Sequence, residues 1–492
     1  MQVVSDTQDL LRSAVAQIFG FAGRLAARAG FIVIAAGQYG DIALGQLGLV
    51  AAISEIAVAL GVLGLKRSLL DQLSALAEAG QPVGPRVSEA LFISSLFGLG
   101  IAFCLSFIWP LVIPGAGFVW LCLSCMIPFN VFSEVALTAI KYKRVVQWEV
   151  WARSIAESWV LFGLAVLFLV LDWKDVGLPL AYALSLYCVT AIATIGLFKT
   201  YRMQDLKLHW VSWTNIFEIP KRSYQVGITD LGTMALRRID LIVMSVFVSP
   251  AAAGLYFMIQ QIATLSQRIP ALFEPMLSPI LAQLHNQGKT AGIRANLKAI
   301  CRWIFILTVS LTIPISIFGE PILSLFNPAF SAGVVVLAIV LIAELIDGTF
   351  ISAETPLIFT HPKIPPVIIL STLAMEIGLI ALLTHIYGII GAAIGFLLSM
   401  LFLSLARLVL LWRKLAINAL SKAYIQPVLY ALLMSASLWA ASDTLLQLPN
   451  WTLAITIAAT TASYLASIRF FALSPSDKLL LKLLARRKNQ RR

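Results

Sequence analysis

Apolar residues run along this chain in long, nearly unbroken stretches, separated by short polar interruptions. A helix crosses the bilayer core with about 20 predominantly apolar residues, and the stretches predict helices near residues 14–36, 44–64, 87–109, 117–140, 148–171, 177–198, 223–248, 252–283, 300–318, 331–354, 364–385, 389–411, 425–441 and 451–470. Barrel strands would show as short alternating segments, whereas the stretch from Trp159 to Leu171 is continuously apolar. The pattern therefore predicts an all-α polytopic membrane protein with about 14 transmembrane helices.

Composition excludes the soluble classes. Of 492 residues, 60% are hydrophobic and 12% charged, against about 25% charged in an average soluble domain, too few to coat several soluble domains. A soluble enzyme is excluded first. The net charge of +12 is assigned to loops facing anionic lipid rather than to nucleic acid, because no basic domain stands apart from the apolar stretches. The five cysteines all lie in or beside apolar runs, and the Cys122–Cys125 pair has neither a second pair nor a histidine cluster beside it; both read as small helix-packing side chains. Asp6, Asp9, Arg24 and Arg28 interrupt the N-terminal region, so no cleavable signal is expected there.

Charge also orients the helices. With both termini on the cytoplasmic side, 26 of the 36 lysines and arginines fall in cytoplasmic segments, one (Lys174) falls outside, and nine lie within helices. A miscounted span would invert every later loop and scramble this division. The external connections are short, as at Gln38 to Ala43 and Ser249 to Ala251, leaving no domain there for a glycosyltransferase, polymerase or hydrolase site.

A segment over 200–222, with Trp210, Trp213 and Phe217 between basic ends, suits an amphipathic helix at headgroup level. It divides the chain into an N-lobe over 1–199 and a C-lobe over 223–412, followed by two extra helices within 413–470 and a basic cytoplasmic tail over 471–492. An offset of 209 residues places Arg28 on Arg237 and Gly45 on Gly254. Helices one and seven both start inside, so the predicted lobes form a parallel, pseudo-symmetric six-helix repeat, as in two-lobed transporters.

Charges inside the bilayer mark candidate sites, because each costs about 2.5–3.5 kcal/mol to insert. Helix one carries Ser13, Gln17, Arg24 and Arg28 on one stripe; helix seven carries Asp230, Thr233, Arg237 and Asp240 on another, with Arg238 beside them. Helix eight carries Gln260, Gln261, Thr264, Gln267, Arg268 and Glu274, and helix two carries Glu55. Arg237 and Asp240 also read as an ion pair within one helix. Arg24 and Arg28 repel each other and have no acid on their own helix. With Arg268 they are the side chains suited to an anionic group, since guanidinium grips phosphate through two parallel hydrogen bonds.

Glu344 and Asp347, three apart in helix ten, and Glu376 in helix eleven suit a proton or cation site, or pairing with Arg407 and the helix-seven arginines. Pro270, Pro275 and Pro279 favour a bend in helix eight. No P-loop, HExxH or GxSxG pattern is present.

Certain local sequences carry a family likeness. Gln38-Tyr39-Gly40-Asp41-Ile42-Ala43-Leu44-Gly45, Arg238-Ile239-Asp240-Leu241-Ile242 and Ser249-Pro250-Ala251-Ala252-Ala253-Gly254-Leu255-Tyr256, with the cationic first helix, resemble the polysaccharide-export and O-antigen (lipid-linked oligosaccharide) flippase branch of the multidrug/oligosaccharidyl-lipid/polysaccharide exporter superfamily. The resemblance implies two lobes whose first, second, seventh and eighth helices line a central cavity. It implies movement of a polyprenyl-pyrophosphate-linked oligosaccharide across the cytoplasmic (inner) membrane for surface polysaccharide biosynthesis, coupled to sodium or protons.

Arg24, Arg28 and Arg268, with Arg237, Arg238, Gln17 and Gln261, are the substrate-binding candidates under this resemblance. Asp230, Asp240, Glu55, Glu274, Glu344, Asp347 and Glu376 are the ion-coupling candidates. Expected partners are the lipid-linked oligosaccharide, membrane lipids, and the polymerase and export proteins of one pathway, with no nucleic acid and no resident metal or other cofactor. The alternative of the same fold is a cation-coupled multidrug exporter, for which an acidic, aromatic cavity is expected.

Overall fold

The structure, a computed structural model, describes residues 23–446 and 450–471, apart from 116, 203, 205 and 207–212. The described residues are helical with no strand, and nine helical segments among them are long and apolar enough to cross a membrane. The chain is an all-α, multi-pass membrane protein. Each of the fourteen stretches read from the sequence is mainly helical over its described residues.

The nine segments are fewer than fourteen partly because one of them continues through a break. The Ile364–Leu415 segment has 52 residues, about 78 Å of helix at 1.5 Å per residue, against a core of about 30 Å. It is two passes folded at Gly388, whose φ of 59° and ψ of −140° are non-helical. Gly391 and Gly395 have no room for a Cβ against the Leu383 carbonyl and Ile380 respectively, so the two passes meet with backbone against backbone just after the turn.

Two compact units follow one another along the chain, Met1–Gly254 and Leu255–Arg492. The division falls inside the Pro250–Asn286 helix. The helices Trp213–Leu236 and Ile239–Ser245 are therefore part of the first unit.

The first unit is built on the Gly117–Tyr142 helix, with the Gly84–Ser106 and Gly177–Thr200 helices on either side of it. Val87, Ile93, Leu123, Met126, Ile127, Val131, Val135 and Val189 form its dry centre. In the second unit the last two helices, Ile425–Leu446 and Asn450–Phe471, pack on Thr290–Ile317. Ile306, Val309, Ala431, Tyr464 and Ile468 lie at that seam.

Three local differences from the sequence reading bear on the site. The helix expected over 223–248 begins earlier, at Trp213, and is interrupted by a turn at Arg237 and Arg238 before Ile239. Arg237 and Asp240 therefore do not lie three apart on one continuous helix. The expected surface helix over 200–222 is in part the start of this span; the side chains of Trp210, Trp213 and Phe217 are outside the described residues, as is the basic tail over 472–492.

The connection after helix two is itself a helix, Leu65–Glu78. Leu65, Ser68, Leu69 and Leu73 form its buried stripe, an amphipathic pattern of spacing 3, 1 and 4. It turns off from Asp41–Val62 through two consecutive left-handed residues, Leu63 (φ 55°) and Gly64 (φ 73°).

Candidate functional site

Arg24 and Arg28 lie one turn apart on the helix over 23–34, both half-buried. That helix rests on the Glu157–Val170 helix at Gly30, where an added Cβ would come within 3.0 Å of the Phe162 ring. It continues into a π-helical turn, Ala35–Tyr39, and Gly40 (φ 89°) then reverses the chain into the next helix. The Tyr39 hydroxyl donates to the Ala165 carbonyl at 2.6 Å and ties this corner to helix five. Gln17 is outside the described residues.

Helix two begins at Asp41 and is held by a close backbone contact. A Cβ on Gly45 would strike the Pro250 carbonyl, and one on Gly254 would strike the Asp41 carbonyl. The two glycines that the 209-residue offset aligns are thus packed against each other's helix.

Further along helix two, Glu55 holds Arg238. Arg238 Nε donates to Glu55 Oε2 at 2.6 Å and Nη2 donates to Oε1 at 3.2 Å. Arg238 is available for this because the helix breaks at 237–238. Asp240 is buried, and its Oδ1 accepts from the Leu241 amide at 2.8 Å as the next helix starts. Arg237 is exposed. Asp230 meets Arg67 of the Leu65–Glu78 helix, Nε to Oδ1, at 3.2 Å.

A further cluster in this unit includes none of the residues singled out from the sequence. Arg153 lies in a π-helical stretch, Val150–Ala156, a backbone irregularity that often accompanies functional sites. Its guanidinium donates to Glu134 Oε1 at 2.5 Å, Asn130 Oδ1 at 2.9 Å and Glu157 Oε2 at 3.2 Å. Lys66 approaches the other oxygen of Glu134 at 3.1 Å. The signal in the sequence is Arg153 and Glu157 four apart within an apolar span, a spacing that pairs side chains on one helix face. The link to Glu134 crosses between helices and has no sequence period.

In the second unit, Gln267 Nε2 donates to Glu344 Oε1 at 2.7 Å. Arg407 takes both Asp347 (Nη1 to Oδ1, 2.5 Å) and Glu354 (Nε to Oε2, 2.8 Å). Glu344 and Glu376 are buried, Gln261 is half-buried, and Arg268 and Glu274 are exposed within this unit. Glu344 and Asp347 thus have different partners, despite their spacing of three.

Arg153, Arg238 and Arg407 are each bound to carboxylates, so they neutralise charge inside the helix bundle. Arg24 and Arg28 form a cationic pair on one helix, suited in type and spacing to a doubly charged phosphate group. Among the described residues, no group of three or more His, Cys, Asp or Glu side chains could hold a metal ion.

The fold is one shared with known membrane transporters. A structure of the lipid II flippase MurJ in an inward closed conformation superimposes with a TM-score of 0.72, covering 94% of this chain and 99% of that one at 14% identity. An inward-facing multidrug resistance MATE family transporter of the MOP superfamily gives a TM-score of 0.64, covering 79% of this chain and 93% of that one at 12% identity. In sequence, the chain is 27% identical over 245 residues to a probable flippase, AglR, of Haloferax volcanii; the match spans 48% of this chain and 48% of that protein. The chain thus matches about half the length of this curated relative. No protein-family model matches it.

Proposed function

We propose that this chain is a flippase that moves a polyprenyl-pyrophosphate-linked oligosaccharide across the cytoplasmic membrane by alternating access. The observation that carries the reading is the pair of half-buried guanidiniums of Arg24 and Arg28, one turn apart on the first described helix. A pyrophosphate bridge presents several anionic oxygens in a row, and two forked cations a turn apart match that geometry. Charges placed within spans normally face a protein interior or a water-filled cavity, so these side chains are suited to a wet substrate path. Likeness of fold to a lipid II flippase, and of sequence to a probable flippase, supports the same reading.

In this reading Arg268, Arg237 and Gln261 supply further polar contacts to the substrate. Arg238, held by Glu55, acts on the path through its ion pair. Glu344, Asp347 and Glu376 serve coupling to an ion gradient, together with Asp230, Asp240 and Glu274. The lobes extend over 1–199 and 223–412, both termini are cytoplasmic, and the substrate is delivered to a polymerase and export proteins of a surface polysaccharide pathway.

The test is translocation of a lipid-linked oligosaccharide in proteoliposomes, or complementation in a strain lacking the chain. Arg24→Ala with Arg28→Ala is expected to abolish transport, and the two lysine variants to restore only part of it, since lysine lacks the fork. Full activity of the double alanine variant overturns the assignment. Drug resistance conferred by expression, without lipid-linked sugar transport, favours the multidrug exporter instead.

A further inference from the structure

The turn that leaves Gly117–Tyr142 and the last residues of Gly177–Thr200 come together at one end of the first unit, and both are basic. Lys143, Arg144, Lys199 and Arg202 are all exposed there. The nearby carboxylate of Glu149 is taken by Lys141 at 2.8 Å, and none of the four exposed cations forms an ion pair with a described residue.

Two of these cations are fixed over aromatic rings. Lys143 Nζ lies 5.6 Å from the centre of the Tyr201 ring and 6.0 Å from that of Tyr142, and Lys199 Nζ lies 5.5 Å from that of Trp148. The rings are themselves anchored. The Tyr201 hydroxyl donates to the Ala139 carbonyl at 2.8 Å, and Trp148 packs so closely on Gly196 that a Cβ there would come within 2.8 Å of the indole. An ammonium over a ring face turns part of its hydrogens to the π cloud and keeps the rest for an outside acceptor. Tyrosine and tryptophan also favour the depth of lipid headgroups.

Arg144 adds a second, independent observation. It stands just past Gly117–Tyr142 in the left-handed conformation, φ 61°, with its amide donating to the Lys141 carbonyl at 2.8 Å. Glycine is the usual residue at such a helix end, because a Cβ is strained there. A long cation kept against that preference places charge at the tip of the turn, and residues strained in this way cluster at ligand sites. One turn further into the span, Gly177–Thr200 presents Ile195 and Phe198, each 49% exposed. The spacing of four sets Ile195 and Lys199 on one helix face.

We propose that this rim binds the headgroup of an anionic phospholipid, with the phosphate held by Lys143, Arg144 and Lys199 and an acyl chain lying along Ile195 and Phe198. Cations at the helix end over an exposed apolar face repeat the order of the lipid itself, a charged head over hydrocarbon. A soluble phosphate makes no use of the apolar face, and a zwitterionic lipid brings a cation of its own that the four cations repel. A basic cluster beside a span is a general form of anionic-lipid recognition. The site does not rest on the flippase reading.

The test is native mass spectrometry of the full chain released from nanodiscs made of equal parts phosphatidylglycerol and phosphatidylcholine, reading which lipid stays bound. The wild type is expected to retain phosphatidylglycerol in preference. Lys143→Gln, Arg144→Gln and Lys199→Gln combined are expected to lower that preference at least about tenfold, from roughly fivefold per cation near a membrane surface. Arg144→Gly is expected to keep or raise the melting temperature, since glycine suits the turn, while lowering retention about three- to fivefold; a structural role would move both together. Lys289→Gln, Arg413→Gln and Lys414→Gln, at exposed positions of the second unit, remove the same charge and are expected to leave the preference as it is. An equal fall in that control overturns the proposal, because the attraction is then general. So does a triple rim variant that retains phosphatidylglycerol like the wild type. Retention of an added prenyl diphosphate through the same three residues, in place of phosphatidylglycerol, overturns it as well.

Discussion

Arg238 grips Glu55 through both carboxylate oxygens, at 2.6 and 3.2 Å, across a sequence separation of 183 residues. The bond joins the Asp41–Val62 helix to the turn that separates Trp213–Leu236 from Ile239–Ser245. Removing one partner leaves the other charge partly buried and unanswered. Glu55→Gln or Arg238→Gln alone is expected to cost about 2 kcal/mol of stability, less than the 3–5 kcal/mol of a fully buried pair because both side chains retain some exposure. The double variant should lose less than the sum of the two, which a double-mutant cycle on detergent-solubilised protein measures.

The Asp347–Arg407–Glu354 triad in the second unit is more deeply buried, with Arg407 only 6% exposed. Arg407→Met leaves two carboxylates facing each other without a cation. About 3–5 kcal/mol of destabilisation is expected, read as a lower melting temperature. Adding Asp347→Asn and Glu354→Gln to that variant should recover most of the loss.

The Gly45–Gly254 contact makes a sharp steric prediction. Gly45→Ala or Gly254→Ala drives a methyl into a backbone carbonyl, and about 1–3 kcal/mol of strain follows from overpacking. Gly100→Ala, where a Cβ meets nothing within 4 Å, serves as the control and should be neutral or slightly stabilising within its helix.

Gly388 has a φ of 59° with a ψ of −140°, a combination that essentially only glycine adopts without strain. Gly388→Ala is expected to cost about 1–3 kcal/mol and to slow correct insertion of the hairpin. Gly378→Ala, in open space on the same segment, should not. Thermal unfolding and expression level in the membrane check both.

What could be read from the order of residues is the helical architecture. Apolar runs such as Trp159 to Leu171 specify a helix because hydrocarbon forces every backbone group to pair within its own segment. The same holds for the single-glycine turn at 388, where the two runs stop and restart. The Leu65–Glu78 helix was hidden, although its stripe of Leu65, Leu69 and Leu73 is periodic, because a short amphipathic segment between two spans reads first as a charged loop.

Most of the pairing of charges was decided only in three dimensions, although the sequence did offer Arg407 as one alternative partner for Asp347, and the structure makes that pair. Arg238 lies in the turn that breaks the helix expected over 223–248, and from there it goes to Glu55, 183 residues away in sequence. Glu344 and Asp347 share a helix face, yet Gln267 takes one and Arg407 the other. Arg153 and Glu134 have no relation in sequence until the helices carrying them pack together. Hydrophobic burial depends on composition summed along a segment, so it survives translation into one dimension. An ion pair depends on two atoms coming within about 3 Å, and that distance is set by how whole helices pack.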